Sequence, residues 1–296
     1  MTPTRVAFKH FWSGFQNNPR RLRQWEMMFP NLCKFDLRDV TSTEEEPEVV
    51  FFSHFFGTSH GTRRGAARGL EDTGAVRVFW TGENEEPPDG WDYAMTHSVT
   101  FTQGPYHLRT PHWYPWLNLY HPEGVNALIR KPDEVMPKKD RDVIFLCSHD
   151  TPERTAMVKA LRDAGLQVDC YGKTKHNNTE GAVIARGAHY NLISRYRFAL
   201  TFENESAPGY CTEKIADAFA ARTVPIYQGY VDPAFSISSV LTGDCISAVV
   251  AMNKHNKSVS DMANGWCLQM NELPEWATPE AMTAWWSKVL GREPAQ

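Results

Sequence analysis

The sequence predicts a two-domain α/β protein built on parallel sheets, and three observations carry that expectation. Short apolar runs rich in β-branched and aromatic residues, such as Val49 to Phe56 and Val143 to Ser148, alternate with stretches of helical period. The alternation stops once, at the charged, proline-broken stretch Ala127 to Arg141, and then resumes. A chain of 296 residues also suits two domains, each able to bury its own core. The expected division is residues 1–138, closing on the linker, then residues 139–275, then a C-terminal helix in 276–296. Such a protein binds its ligand in a cleft between domains, beyond the carboxyl ends of the strands.

Composition narrows the class of partner. A net charge of -4 gives no general case for nucleic acid or an anionic membrane. The N-terminus lacks a charged segment followed by a long apolar run, and no stretch approaches the ~18 apolar residues of a membrane span. A cytoplasmic location is therefore expected. The six cysteines form no C-x-x-C pair, so reduced thiols are favoured, although an even number leaves disulfides open.

Arg5 to Trp12 reads as the first strand, ended by Ser13-Gly14, and Phe15 to Met28 has weak helical character. Val49 to Phe56 is almost wholly apolar, as a parallel strand covered on both faces should be. Gly61 to Gly69 is glycine-rich and basic but lacks the residue order of a phosphate-binding loop. Ala75 to Trp80 is a further strand, followed by Thr81-Gly82-Glu83-Asn84. A carboxylate just past a strand's carboxyl end is placed to reach a ligand, yet Gly82 and Asn84 also suit a plain turn with an exposed glutamate. Trp91 to Tyr120 carries eight tryptophan, tyrosine and phenylalanine residues. Flat rings can seat a sugar, but packing between layers is their commoner use.

The second cycle begins at Val143 to Ser148. Asp140-Arg141-Asp142 before it has the D-x-D form of a metal site but reads as a solvated charge run. Thr151 is a good N-cap and Pro152 a good first helical residue, with Met157, Ala160 and Leu161 expected to face the sheet. Arg154 then lies in a first helical turn beside a strand end, where it either holds phosphate or simply faces solvent. Val168 to Tyr171 is the next strand, followed by a polar loop with Gly172, Lys173, Asn177 and Asn178.

The stretch Phe198 to Gly229 is the centre of this half. Phe198 to Phe202 is strand-like, Ala207-Pro208-Gly209 breaks the chain, and Thr212 can cap a helix with Glu213 in its first turn. Ile215, Ala218 and Phe219 give that helix an apolar stripe, and Val224 to Tyr227 forms a closing strand. A helix N-terminus at the carboxyl end of a strand suits a nucleotide diphosphate. Lys214 adds a full charge, Glu213 can accept from two ribose hydroxyls, and Tyr210 can pack on or hydrogen-bond to the nucleotide. The same residues are also compatible with a solvated helix start. Toward the C-terminus, Ser236 to Leu241 suggests a short helix. Thr278, Pro279 and Glu280 start a final one, whose face is Met282, Trp285, Trp286 and Val289.

Phe202-Glu203-Asn204, Tyr210-Cys211-Thr212-Glu213-Lys214 and Pro225-Ile226, in this order, resemble the signature of glycosyltransferase family 10, the α1,3/4-fucosyltransferases. Gly82-Glu83-Asn84 and Asp92-Tyr93-Ala94 are similar to two further family motifs. Glu205 stands where a hydroxyl residue is usual, Cys211 replaces Val, and His149 replaces Asn before Arg154. The resemblance implies the glycosyltransferase B fold, two Rossmann-like domains facing a cleft, with the nucleotide on the second. It implies inverting transfer of L-fucose from GDP-β-L-fucose to a glycan hydroxyl, O3 of N-acetylglucosamine or glucose, without metal or other cofactor. Glu83 would be the general base, with Glu203 the next carboxylate to consider. Arg154 and Lys214 would stabilise the leaving diphosphate, Glu213 and Tyr210 would hold ribose and base, and Asn204 would hold the loop or donor. A transferase of another nucleotide sugar and a non-catalytic nucleotide-sugar or glycan binder remain the alternatives.

Overall fold

The strands of the protein pair in parallel throughout the described residues, which in this computed structural model are 2–54, 74–85, 87, 90–99, 106–129, 137–172, 186–254 and 272–294. Six strands make the first sheet: β1 (Thr4–Lys9), β2 (Leu37–Asp39), β3 (Val49–Phe52), β4 (Val76–Trp80), β5 (Tyr93–Thr96) and β6 (His107–Arg109), in the order β2-β1-β3-β4-β5-β6. Four make the second: β7 (Arg141–Leu146), β8 (Val168–Tyr171), β9 (Tyr196–Leu200) and β10 (Val224–Ile226), in the order β10-β9-β7-β8. Among the described residues the α-helices are α1 (Ser13–Gln16), α2 (Arg21–Met28), α3 (Trp113–Tyr120), α4 (Pro152–Asp163), α5 (His189–Ile193), α6 (Glu213–Ala220), α7 (Ile246–Lys254) and α8 (Pro279–Leu290).

Contacts divide the chain into Met1–Leu119 with Pro274–Gln296, and Tyr120–Leu273. Tyr120 to residue 138 thus groups with the second sheet and α8 with the first, whereas the sequence division keeps 1–138 together and sets 276–296 apart. The reason for α8 is aromatic packing. Trp286 is fully buried, and its ring meets Phe29 and Phe51 at 6.0 and 5.9 Å between centroids. Its start is as expected, with Thr278 Oγ1 accepting from the Ala281 N–H at 3.3 Å and Pro279 in the first turn. Gly291 then ends it in the left-handed conformation, φ 61°.

Aromatic residues also form the centre of the first unit. Phe8 and Phe51 stack 5.2 Å apart, and Trp25 meets Trp80 edge-on at 5.6 Å. Of the run Trp91 to Tyr120, open in the sequence to either a sugar platform or layer packing, the part on α3 is used for packing, while Tyr106 is exposed. Trp113 and Tyr114 are buried on α3, and Trp113 meets Trp276 at 5.8 Å. Pro115 sits in the first turn of α3, where its missing N–H costs no helical bond.

The second sheet has its topological switch at β7, since the chain runs from β7 outward to β8 and returns on the other side as β9. Val143 pairs with Val168 on one side and Phe198 on the other. On α4 the buried face is Arg154, Val158 and Leu161, while Met157 and Ala160 are only partly covered. The stripe therefore lies one residue round from the expected one, and it brings Arg154 inward. Among the described residues the cysteines, Cys33, Cys147, Cys170, Cys211 and Cys245, are free thiols. No helix among the described residues is long and apolar enough to cross a membrane. The glycine-rich stretch Gly61 to Gly69 and the polar residues Lys173, Asn177 and Asn178 lie outside the described residues.

Candidate active site

At the carboxyl ends of β7 and β9 the second unit holds a cavity of about 500 Å³, a size that accommodates a nucleotide-sized ligand. Ile144, Leu146, Tyr171, Ile193 and Ala199 give it an apolar part. Arg154, Asn204, Glu213, Lys214 and Asp217 supply the charged and amide groups. Gly172 lets the ends of β8 and β7 meet beside it. Its φ is +120°, and a Cβ there would stand 1.8 Å from the Cys147 carbonyl oxygen, so only glycine fits.

The N-terminus of α6 is built as the sequence suggests, by a threonine cap, with the first turn carrying Glu213 and Lys214. Thr212 Oγ1 accepts from the Lys214 backbone N–H at 3.5 Å. What the sequence does not reveal is the group beneath it. The Glu203 side chain is 0 % exposed. One of its oxygens accepts from the Thr212 backbone N–H at 2.7 Å, the other from Lys214 Nζ at 3.0 Å, and the Thr212 hydroxyl lies within 2.9 Å of both. Tyr227 donates its hydroxyl proton to the same carboxylate at 3.2 Å, or to the Tyr230 carbonyl at 3.0 Å. Gly229, at φ +155°, closes this nest. A Cβ there would stand 2.7 Å from both Glu203 Cγ and the Tyr227 hydroxyl. Glu203 is thus engaged within the protein, which argues against it as the alternative base.

Lys214 keeps about a quarter of its side chain exposed, at 26 %. Burial works against its charge, but the Glu213 and Glu203 carboxylates outweigh it and hold the ammonium above the ordinary lysine range. Arg154 is 4 % exposed. Its guanidinium donates to the carbonyls of His149 and Phe202 at 2.8 and 2.7 Å and to Asn204 Oδ1 at 2.8 Å. It therefore ties the loop after β7 to the loop after β9. Tyr210, expected to pack on or hydrogen-bond to the nucleotide, is 3 % exposed and is not among the residues that line the cavity. Asp217, one turn beyond Glu213 on the cavity side, was legible only in the i, i+4 spacing.

Glu83 belongs to the first unit, exposed in a bend just past the end of β4. Its backbone N–H donates to Thr81 Oγ1 at 3.0 Å, and Thr81 Oγ1 shares a hydrogen bond with His54 Nδ1 at 2.8 Å. The next residue, Asn84, meets His97 Nε2 through its Oδ1 at 3.2 Å. The turn is thus fixed on both sides of the carboxylate. His97 is buried, and burial, with Arg109 and His107 nearby, lowers its pKa from 6.5 to about 4. Asp140 and Asp142, the D-x-D pair, are held by Arg195 at 3.2 Å and Arg197 at 3.0 Å. Asp140 is solvated as expected from sequence, whereas the Asp142 pair is largely covered, its side chains only 21 % and 15 % exposed.

Parallel sheets in both units, with a helix N-terminus at the carboxyl end of β9 in the second, have the architecture of the glycosyltransferase B fold. A crystal structure of an α1,3-fucosyltransferase superposes with a TM-score of 0.74 at 21 % identity, covering 98 % of this chain and 90 % of that one. The same type of enzyme with GDP-fucose gives 0.68 at 21 % identity, covering 97 % and 90 %. Residues 136–241 match the model of the glycosyltransferase family 10 (fucosyltransferase) C-terminal domain. The α-(1,3)-fucosyltransferase FucT of Helicobacter pylori is 31 % identical over 257 residues, covering 77 % of this chain and 50 % of the relative. The α-(1,3)-fucosyltransferase 7 of Mus musculus is 27 % identical over 169 residues, covering 50 % and 41 %. The chain spans about half the length, or less, of these curated relatives.

Proposed function

We propose that the protein transfers L-fucose from GDP-β-L-fucose to a hydroxyl of a glycan, O3 of N-acetylglucosamine or glucose, with inversion at the sugar. The observation that carries this reading is the capped start of α6. Lys214 and Glu213 stand side by side there on the wall of the cavity, inside the family 10 segment. The names of the relatives, α1,3-fucosyltransferases from a bacterium and a mammal, support the sugar and the linkage, and the similar structure with GDP-fucose supports the donor.

In this reading the diphosphate lies against the α6 N-terminus, whose partial positive charge and Lys214 balance the charge that grows on the leaving group. Glu213 accepts from the ribose hydroxyls. Arg154 acts mainly by holding Asn204 and the two strand-end loops in place. Glu83 takes the proton of the acceptor hydroxyl as the sugar bond forms. A general base of this kind contributes ~10²–10⁴ in rate. The leaving charge is met by Lys214 and the helix, so no metal is assigned a role, and we place the reaction in the cytoplasm.

The test is a panel of nucleotide sugars, each assayed for hydrolysis and for transfer to lactose and N-acetyllactosamine. Fucose transfer from GDP-fucose alone is the expected result. Transfer from a different nucleotide sugar would reassign the donor. GDP binding without turnover of any donor would leave a binding module.

A further inference from the structure

We propose that Glu203 is the positioning residue of the nucleotide site, its buried carboxylate clamping Lys214 so that the ammonium's remaining N–H meets the diphosphate. This rests on the nucleotide reading of the cavity and adds a residue to it. The Thr212 hydroxyl has one proton, which goes to Glu203 at 2.7 to 2.9 Å. Its lone pairs are then left to accept from Lys214 Nζ at 3.0 Å and from the Lys214 backbone N–H at 3.5 Å. An ammonium has three N–H groups. Two of them go to Glu203 Oε2 and Thr212 Oγ1, and the third belongs to a residue that lines the cavity.

A lysine on a free four-carbon stem loses rotamer freedom when it grips an anion. Lys214 has already lost it, since both restraining oxygens sit on one rigid unit. Glu203 follows the end of β9, and Thr212 is fixed to it through both its N–H and its hydroxyl. The geometry also explains why a carboxylate is used. It must accept from a backbone N–H, a hydroxyl and an ammonium at once, with Tyr227 a fourth donor within 3.2 Å. A glutamine would present its NH₂ to one of these donors.

The alternative is that Glu203 merely holds the loop, and a cycle of variants separates the two roles. GDP affinity is measured by calorimetry on the whole chain and on Glu203→Gln, Lys214→Met and the double variant. Glu203→Gln should bind GDP ~10-fold more weakly at pH 7, the scale of one charge-assisted bond. In the Lys214→Met background the same change should alter affinity less than about two-fold, the mark of residues that act as a unit. The groups facing the ammonium are Glu203 from the β9 loop, Glu213 on its own helix and Arg154 from α4. Without Glu203, burial and Arg154 oppose Glu213 alone, so the ammonium deprotonates at lower pH. The ratio of wild-type to Glu203→Gln affinity, in which ionisation of GDP cancels, should therefore rise between pH 7 and pH 9.

The double variant buries neither charge and should melt above Lys214→Met, which leaves a carboxylate buried without its cation. This comparison decides the matter if Glu203→Gln alone does not fold. An equal loss of GDP binding from Glu203→Gln in both backgrounds, or a double variant that melts below Lys214→Met, overturns the clamp and leaves the nucleotide reading intact. Wild-type protein that does not bind GDP overturns both.

Discussion

Arg154→Lys is the substitution that best tests how the cavity is assembled, because it keeps the charge and removes the fork. Arginine here donates to the His149 and Phe202 carbonyls and to Asn204 Oδ1, all at 2.7 to 2.8 Å. Lysine, with one nitrogen on a shorter reach, can serve at most one of the two loops. The other loop's acceptor then loses a charged partner in a site where Arg154 is 4 % exposed. A charged hydrogen bond is worth about 1.5–3 kcal/mol and a buried acceptor left without a partner costs about 1–3. Because the bonds share one group, their losses do not add in full, and ~2–5 kcal/mol is the expected destabilisation. For a unit of this size that is a fall in midpoint of ~5–15 °C. Thermal unfolding followed by circular dichroism, with and without GDP, reads it directly. An unchanged midpoint together with a loss of GDP affinity beyond ten-fold would refute the reasoning and make Arg154 a direct phosphate ligand.

Lys214→Ala should weaken GDP itself, as well as the sugar nucleotide, by about 10- to 150-fold in calorimetric titration, since the contact is to phosphate. Glu83→Gln should lower transfer by ~10²-fold or more while GDP affinity stays within a few-fold, a split that steady-state kinetics and calorimetry together detect. Transfer should survive saturating EDTA, and complete loss restored by Mn²⁺ would return attention to Asp140 and Asp142. Because His97 titrates at about 4 when folded and near 6.5 when free, the unfolded state binds the extra proton between those values. Stability should therefore climb by up to about 3 kcal/mol as pH rises across that window, and His97→Gln should flatten the climb in urea titrations at stepped pH.

The sequence made the second sheet legible because its strands are short apolar runs separated by strong punctuation. Thr151-Pro152 and Thr212-Glu213 mark the starts of α4 and α6, and both threonines cap as read. The first sheet was less legible at its edges. β2 and β6 are three residues each, and Leu37–Asp39 alternates too briefly to carry a period. β5, Tyr93–Thr96, is hidden within an aromatic run that also holds β6 and the helix α3. β3 stops at Phe52, where Ser53 and His54 follow; Phe55 and Phe56 of the expected strand lie outside the described residues. In the site, residues of the helix start were visible because caps and dipoles act locally. The use of Glu203 was not, since an acidic residue after a strand looks the same whether it points to solvent or into a nest made by Thr212, Lys214 and Tyr227. That distinction depends on Tyr227 and Gly229, more than twenty residues further on, and spacing alone does not encode it.

The charges around the cavity explain why orientation matters more there than net attraction. Among the described residues its wall carries Arg154 and Lys214 as cations, against Glu213 and Asp217, with Glu203 directly beneath. Three carboxylates thus stand against two cations, and no excess of positive charge draws a dianionic diphosphate in. What favours the anion is direction. The α6 N-terminus presents the positive end of its dipole, and the clamped ammonium has two of its three N–H groups turned inward to Glu203 and Thr212. Such a site has a chemical advantage for group transfer. A cradle of high net charge would hold the departing diphosphate as firmly as the donor and slow its release. A nearly balanced one, with donors fixed before the ligand arrives, responds most to the charge that appears as the sugar bond breaks. If the proposed transfer holds, the buried carboxylate serves it twice: it cancels charge that would favour the product, and it positions the donor that meets the transition state.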